Sequence, residues 1–167
     1  RTVVLINSLN PSYIQKVIKE EKVWVLIAIP RILASLRDLA IREWEKDGRA
    51  DFKRIYQKAE GKRPLRRIWT FKRIHKIFGW RFWAIVVGGA ALDKELEDFW
   101  STVGMAVVQG YGMTETAPII SINNPLTGKR GSIGKTVGDQ QIRVDKDGEI
   151  LVKGPHVTSG YYSEKGV

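Results

Sequence analysis

The sequence predicts an α/β fold, a parallel-rich sheet flanked by helices and followed by a small all-β segment. Three observations predict it. Apolar runs of strand length recur at Val23 to Ile29, Arg81 to Val87 and Met105 to Val108. Stretches with apolar residues at helical spacing separate those runs, and strands alternating with helices favour parallel pairing through crossovers. After Pro125, glycines at 128, 131, 134, 138, 148, 154 and 160 punctuate short alternating runs, which is the texture of an all-β piece.

Each element has its own signal. Thr2 to Ile6 is a short β-branched run, read as a strand, and the turn signals from Asn7 to Ser12 lead into a helix with apolar positions at Ile14, Val17 and Ile18. Val23 to Ile29 is nearly continuous in apolar character, as expected of a strand covered on both faces. Ile32, Leu33, Leu36, Leu39 and Ala40 then recur at helical spacing. From Arg42 to Gly79 the pattern is helical and basic, broken at Gly61-Lys62-Arg63-Pro64 and ended by Gly79. Arg81 to Val87 is a third strand, Asp93 to Val103 a helix whose acidic first turn suits its dipole, and Met105 to Val108 a fourth strand. Gln141 to Val144 and Glu149 to Val152 form a hairpin about Asp145-Lys146-Asp147-Gly148. A subdomain boundary is expected near residue 125.

Composition narrows the chemistry. The chain has 167 residues with 43% hydrophobic content, enough for a real core. No run approaches the roughly 18 apolar residues of a membrane span. With no cysteine in the sequence, disulfides, thiol nucleophiles and Cys-ligated zinc are excluded from it, and a reducing cytoplasm is the expected setting. Net charge is +10, and Arg42 to Arg81 holds fourteen Lys or Arg against five Asp or Glu. Such a local field attracts phosphate as nucleic acid, anionic lipid or nucleotide, without choosing among them.

The stretch richest in chemistry is Gln109-Gly110-Tyr111-Gly112-Met113-Thr114-Glu115-Thr116, which follows an apolar strand directly. Tyr111 offers a flat face for a base, Thr114 a donor for a phosphate oxygen and Glu115 a hard anionic ligand for Mg²⁺. Gly88-Gly89-Ala90-Ala91 ends another strand. Ligands of open α/β sheets bind at such carboxyl ends, where small residues let a ring or an acyl chain approach the backbone. A Gly-Gly turn alone is usually only a tight connection; the second motif about 20 residues later gives it meaning.

Together with the run from Gly148 to Pro155, these motifs resemble the adenylate-forming family of acyl-CoA synthetases, nearest to the long-chain fatty-acid–CoA ligases, and cover a central slice of the large N-terminal domain. The resemblance implies that Gly88 to Ala91 line the adenine and acyl pockets and that Gln109 to Thr114 bind the nucleotide. It implies that Tyr111 stacks on adenine, Thr114 contacts the phosphate and the activated carboxyl group, and Glu115 holds Mg²⁺. ATP, Mg²⁺ and CoA are the implied cofactors and co-substrates, with a fatty acid as the acid. Residues 1–125 would then be a partial nucleotide- and acyl-binding subdomain with a basic helical insertion over 42–80, and 126–167 a partial β-rich one. A phosphate loop before residue 1, a Tyr-x-Thr-Gly-Asp segment after Val167 and a C-terminal domain with a catalytic lysine are expected beyond the two ends. The 167-residue chain alone is therefore expected to be inactive. Another adenylating ligase, such as an aryl-CoA ligase or a carrier-protein-loading domain, shares the nucleotide motif.

Other features have blander readings. Gly131-Ser132-Ile133-Gly134-Lys135-Thr136 suggests a P-loop, but Lys129 stands where Walker A needs glycine and no helix follows, so Lys135 is read as a solvated charge. His75 and His156, 81 positions apart, have no metal-ligand spacing and are read as structural or surface residues. In the basic stretch, Ile68, Phe71, Ile74 and Phe78 fall near helical spacing, so its aromatics, Trp69 and Trp80 among them, are expected to pack inward with Arg66, Arg67, Lys72, Arg73 and Lys76 in water. Aromatic platforms for single-stranded nucleic acid are a second reading of 42–81, and an interfacial helix on anionic lipid, making the protein peripheral at a membrane, is a third.

Overall fold

Three prolines open helices. Pro11, Pro30 and Pro64 occupy first-turn positions, where a missing N–H costs nothing and the fixed φ is already helical. The computed structural model describes residues 2–46, 51–125 and 127–162. Residues 47–50 of the basic stretch, and Lys165 to Val167 at the end, lie outside the described residues.

Helix α1 (Pro11–Glu20) is capped by Asn10, whose side chain accepts from the backbone N–H groups of Ser12 and Tyr13 at 2.9 and 3.4 Å. Strand β1 (Val25–Ala28) leads into α2 (Pro30–Glu45). Three helices follow, α3 (Phe52–Ala59), α4 (Pro64–Thr70) and α5 (Lys72–Phe78), and Gly79 at φ +95° ends the last. Strand β2 (Ala84–Val87), helix α6 (Lys94–Thr102) and strand β3 (Ala106–Tyr111) complete the parallel part. After a 3₁₀ turn at Thr114–Thr116 come β4 (Ser121–Ile122), β5 (Lys135–Thr136) and the hairpin β6 (Gln141–Val144) and β7 (Ile150–Lys153).

The main sheet runs β1-β2-β3-β4-β5. Its first three strands are parallel, with Leu26 beside Ile85 and Ile85 beside Val107, and β4 and β5 add antiparallel. The sheet runs across position 125, since β4 on one side of it pairs with β5 on the other. β6 and β7 form a separate two-stranded sheet closed at Asp145 to Gly148, as the turn residues require.

Leu26, Ile85, Val87 and Val107 face a core built from α1, α2, α5 and α6, in which Leu33, Leu36, Ile74, Phe78 and Trp100 are fully buried. The alternate residues Val25 and Ile27 are 40% and 80% exposed. The expectation of a strand covered on both faces therefore fails: among the described residues only one face of the sheet carries helices. A continuous apolar run shows that both faces of a strand are apolar, not that this stretch of chain supplies both layers. The strand expected at Thr2 to Ile6 is absent too. Among the described residues no strand pairs with that run, and Val3 and Leu5 are 80% and 91% exposed.

The basic stretch divides by helix. Phe71, Ile74 and Phe78 are fully buried, as their spacing predicts, whereas Trp69 and Trp80 are 73% and 63% exposed and overturn the expectation that all the aromatics pack inward. The chain breaks helical geometry at Phe71 (φ −100°, ψ 24°), so the face that α5 buries does not extend along α4. Arg67 and Arg73 are half-buried, and the Arg73 guanidinium lies 5.0 Å from the centre of the Trp44 ring. His75 is buried, with Nε2 2.9 Å from the Val103 carbonyl and its ring stacked on Trp80. It is a structural histidine, and burial depresses its pKa despite that hydrogen bond.

Candidate functional site

Parallel register brings the two glycine motifs together. Val87 pairs with Gln109, so Gly88, just past β2, lies beside Gly110, which is still within β3; a β-carbon on Gly88 would stand 3.5 Å from the Gly110 carbonyl oxygen, and the second motif begins inside the strand it was expected to follow. Gly89 adopts φ +79°, a left-handed conformation that glycine takes without strain. Ala90 and Ala91 are exposed and lead into α6. The first loop thus lies at the carboxyl edge of the sheet, beside the start of the second.

The second loop doubles back. Tyr111 pairs with Ser121, the Ile120 amide donates to the Tyr111 carbonyl at 2.8 Å, and the Asn123 amide donates to the Gln109 carbonyl at 2.8 Å. Gly112 is required at the bend, because a β-carbon there would run into the Pro118 carbonyl. Met113 to Thr116 form one tight turn, in which the buried Thr116 hydroxyl donates to the Met113 carbonyl at 2.9 Å and accepts from the Met113 amide at 3.2 Å. Thr116 is thereby spent on structure. Thr114 is exposed, and its hydroxyl makes no hydrogen bond among the described residues.

Tyr111 lines a cavity of about 480 Å³ with Ser121, Ile133, Lys135, Ile142 and Ile150, between the main sheet and the β6–β7 hairpin. Tyr111 therefore borders a groove open to solvent, and Thr114 and Glu115 stand outside it on the following turn.

Glu115 is held from a distance in sequence. Its carbonyl accepts from the Thr158 amide at 2.8 Å and its Oε1 accepts from the Tyr161 hydroxyl at 2.6 Å. The Tyr161 hydrogen bond holds the Glu115 carboxyl below its ordinary pKa, and the same bond raises the Tyr161 phenol. Glu115 is thus an ionised, accessible carboxylate. No cluster of three or more acidic, histidine or cysteine side chains occurs among the described residues. A single carboxylate still suits magnesium, which takes one or two carboxylates and completes its octahedron with water and phosphate oxygens.

Sequence reasoning missed Thr158 and Tyr161, whose ties to Glu115 span 43 and 46 residues. It also missed how the loop at 128–134 is fastened. The Gly131 amide donates to buried Glu97 at 2.9 Å, and Asp98 pairs with Lys94 at 2.6 Å and Arg130 at 2.7 Å. Burial pushes the Asp98 carboxyl up, but the two cations outweigh it and leave the group below its usual range. Lys135 is exposed in β5 and no helix follows it, in agreement with the rejection of a P-loop.

A mostly parallel sheet with helices, joined to small antiparallel strands and with glycine turns at its carboxyl edge, is the architecture of adenylate-forming enzyme domains. The family model described as AMP-binding enzyme matches residues 1–162, and the chain belongs to that family. It is similar to the long-chain-fatty-acid–CoA ligase FadD15 of Mycobacterium bovis, 35% identical over 93 residues, which cover 56% of this chain and 16% of that protein. A 2-succinylbenzoate–CoA ligase of a Geobacillus species is 42% identical over 92 residues, covering 48% of this chain and 18% of that one. Unliganded O-succinylbenzoate coenzyme A synthetase from Bacillus subtilis superposes with a TM-score of 0.66 at 26% identity, covering 98% of this chain and 31% of that structure. The matched stretches thus amount to under a third of each relative's length.

Proposed function

We propose that this chain is the central part of the large domain of an ATP-dependent, AMP-forming long-chain fatty-acid–CoA ligase of the cytoplasm. The observation that carries the reading is the meeting of Gly88 and Gly110 at the carboxyl ends of two neighbouring strands, with Tyr111 the last residue of β3 and Thr114 and Glu115 on the turn that follows. In the proposed reaction a fatty-acid carboxylate attacks the α-phosphate of ATP and pyrophosphate leaves. The thiol of CoA then attacks the acyl-adenylate, giving the thioester and AMP. No general base is needed in the first step, because the attacking carboxylate is already ionised.

Each residue has a defined task. Tyr111 supplies the face for adenine, and the first loop, Gly88 to Ala91, keeps side chains out of the way of the ring and the acyl group. The Thr114 hydroxyl, free of protein partners among the described residues, donates to a phosphate oxygen. Glu115 holds Mg²⁺, which when bound offsets the negative charge gathered around the phosphates. Tyr161 holds the Glu115 carboxylate in place through the hydrogen bond to Oε1.

In the full-length parent, Glu115→Ala lowers fatty-acid-dependent pyrophosphate release by at least about tenfold, corresponding to about 1.4 kcal/mol of transition-state stabilisation. Full retention of activity would overturn the role. The 167-residue chain alone is expected to release no pyrophosphate, since it spans under a third of the length of the relatives it matches. An aryl-CoA ligase is the second reading, favoured by the likeness to the 2-succinylbenzoate ligase. The basic helices before Arg81 and the wording Phe78-Gly79-Trp80-Arg81-Phe82-Trp83 favour a long acyl chain. Adenylation rates with a long-chain fatty acid and with an aromatic acid separate the two.

A further inference from the structure

Helix α4 buries none of its residues. Its neighbour α5 is anchored by Phe71, Ile74 and Phe78, all fully buried, so α4 stands on a fixed base while facing outward. On that outward surface Leu65 and Trp69 sit one helical turn apart, 74% and 73% exposed. Two large apolar side chains at this spacing, left uncovered by the described residues, form a small wedge rather than scattered exposure.

The charge around the wedge has one sign. From Gly61 to Arg81 the sequence holds eight Lys or Arg and no Asp or Glu. Lys62, Arg63, Arg66 and Lys72 are exposed, and none of the four is in a salt bridge among the described residues. Arg66 lies three positions before Trp69 and is its surface neighbour. The bare face of the main sheet differs: Val25 and Ile27 are exposed there without a comparable run of cations around them in sequence.

We infer that the outer face of α4 docks on an anionic lipid bilayer, with Leu65 and Trp69 entering the headgroup boundary and Lys62, Arg63, Arg66 and Lys72 against lipid phosphates. Charge complementarity selects the partner. Tryptophan settles at the level of the headgroups, leucine adds apolar area below them, and lysine and arginine add electrostatic attraction that pure zwitterionic lipid does not supply. A nucleic acid would use Trp69 as a stacking platform and leave Leu65 without a role. The inference stands on this surface alone and does not require the ligase reading.

Co-sedimentation of the 167-residue chain with phosphatidylcholine vesicles, with and without phosphatidylglycerol, tests it. Binding to the phosphatidylglycerol vesicles is expected, at least about tenfold weaker without the anionic lipid. The double variants Leu65→Ser/Trp69→Ser and Lys62→Glu/Arg66→Glu are each expected to weaken it about tenfold. Their circular dichroism should match the parent, because all four side chains lie outside the core. Ile27→Ser, on the bare sheet face, should leave binding unchanged. Undiminished binding in either double variant overturns the inference, as does loss of binding in Ile27→Ser. So does complete displacement of the vesicles by a single-stranded oligonucleotide of equal phosphate concentration, which would assign the surface to nucleic acid.

Discussion

The helix-covered half of the main sheet and the glycine-rich strands after Pro125 fold by different means. Between Ile14 and Val107 lies one continuous cluster of buried apolar side chains, with aromatic pairs such as Phe78–Phe82 and Phe78–Trp100 at 5.7 Å. From residue 127 to 162 no described residue is buried. The second region is held by point attachments: β5 on β4, Gly131 on Glu97, Arg130 on Asp98, Thr158 and Tyr161 on Glu115. Close packing makes the core sensitive to lost volume and lets it unfold as one unit, whereas a tethered region can come loose tie by tie without unfolding the rest.

The largest expected effect falls in the core. Phe78→Ala removes a fully buried ring and should cost about 3–5 kcal/mol in urea denaturation, while Val144→Ala, at a position 64% exposed, should stay within about 0.5 kcal/mol. Equal costs would erase the comparison. Gly112→Ala tests the junction between the regions. A β-carbon pressed on the Pro118 carbonyl should destabilise by about 1–3 kcal/mol and loosen hydrogen-exchange protection at Ile120 and Asn123 first.

His75 gives the core a pH signature. Its folded pKa lies below the ordinary value of 6.5, so above that value both states are neutral and the group contributes no dependence. As pH falls below 6.5 the unfolded chain takes up a proton that the folded chain refuses, and stability drops until the depressed folded pKa is passed. Urea midpoints should therefore fall with pH across that window, and His75→Gln should flatten the contribution. The smallest effect is at the tether. Tyr161→Phe should raise the Glu115 carboxyl titration, followed by carbon-detected NMR, and leave the urea midpoint unchanged. An unmoved titration would show that the tie is not made in solution.

Much of this fold was legible because its signals are local. Val23 to Ile29 and Arg81 to Val87 contain β1 and β2, Met105 to Val108 covers only the first part of β3, which runs on to Tyr111, the helical spacing of Ile32 to Ala40 lies in α2, and the Asp145 to Gly148 turn closes β6 and β7. The inward set Phe71, Ile74 and Phe78 was legible from period alone. Trp69 was not, because a change of backbone direction at Phe71 separates it from that face. In the candidate site, the carboxyl-end position of Gly88 and Gly89 followed from their place after a strand, whereas Gln109, Gly110 and Tyr111 prolong β3 by pairing with β4, which no local signal announced. The tie from Tyr161 to Glu115, 46 residues apart, left no periodic or spacing signal to read.

Local sequence by itself determined which stretches form strands and helices, where proline and glycine start and stop them, and the aromatic–hydroxyl–acid order from Tyr111 to Glu115, since these depend on backbone preferences and on side-chain period. Only the tertiary structure decided that Gly88 lies beside Gly110, that among the described residues only one face of the sheet carries helices, and that Leu65 and Trp69 look outward. Those outcomes rest on strand register and on contacts between residues far apart in the chain, and their energies belong to pairs that no single stretch of sequence contains.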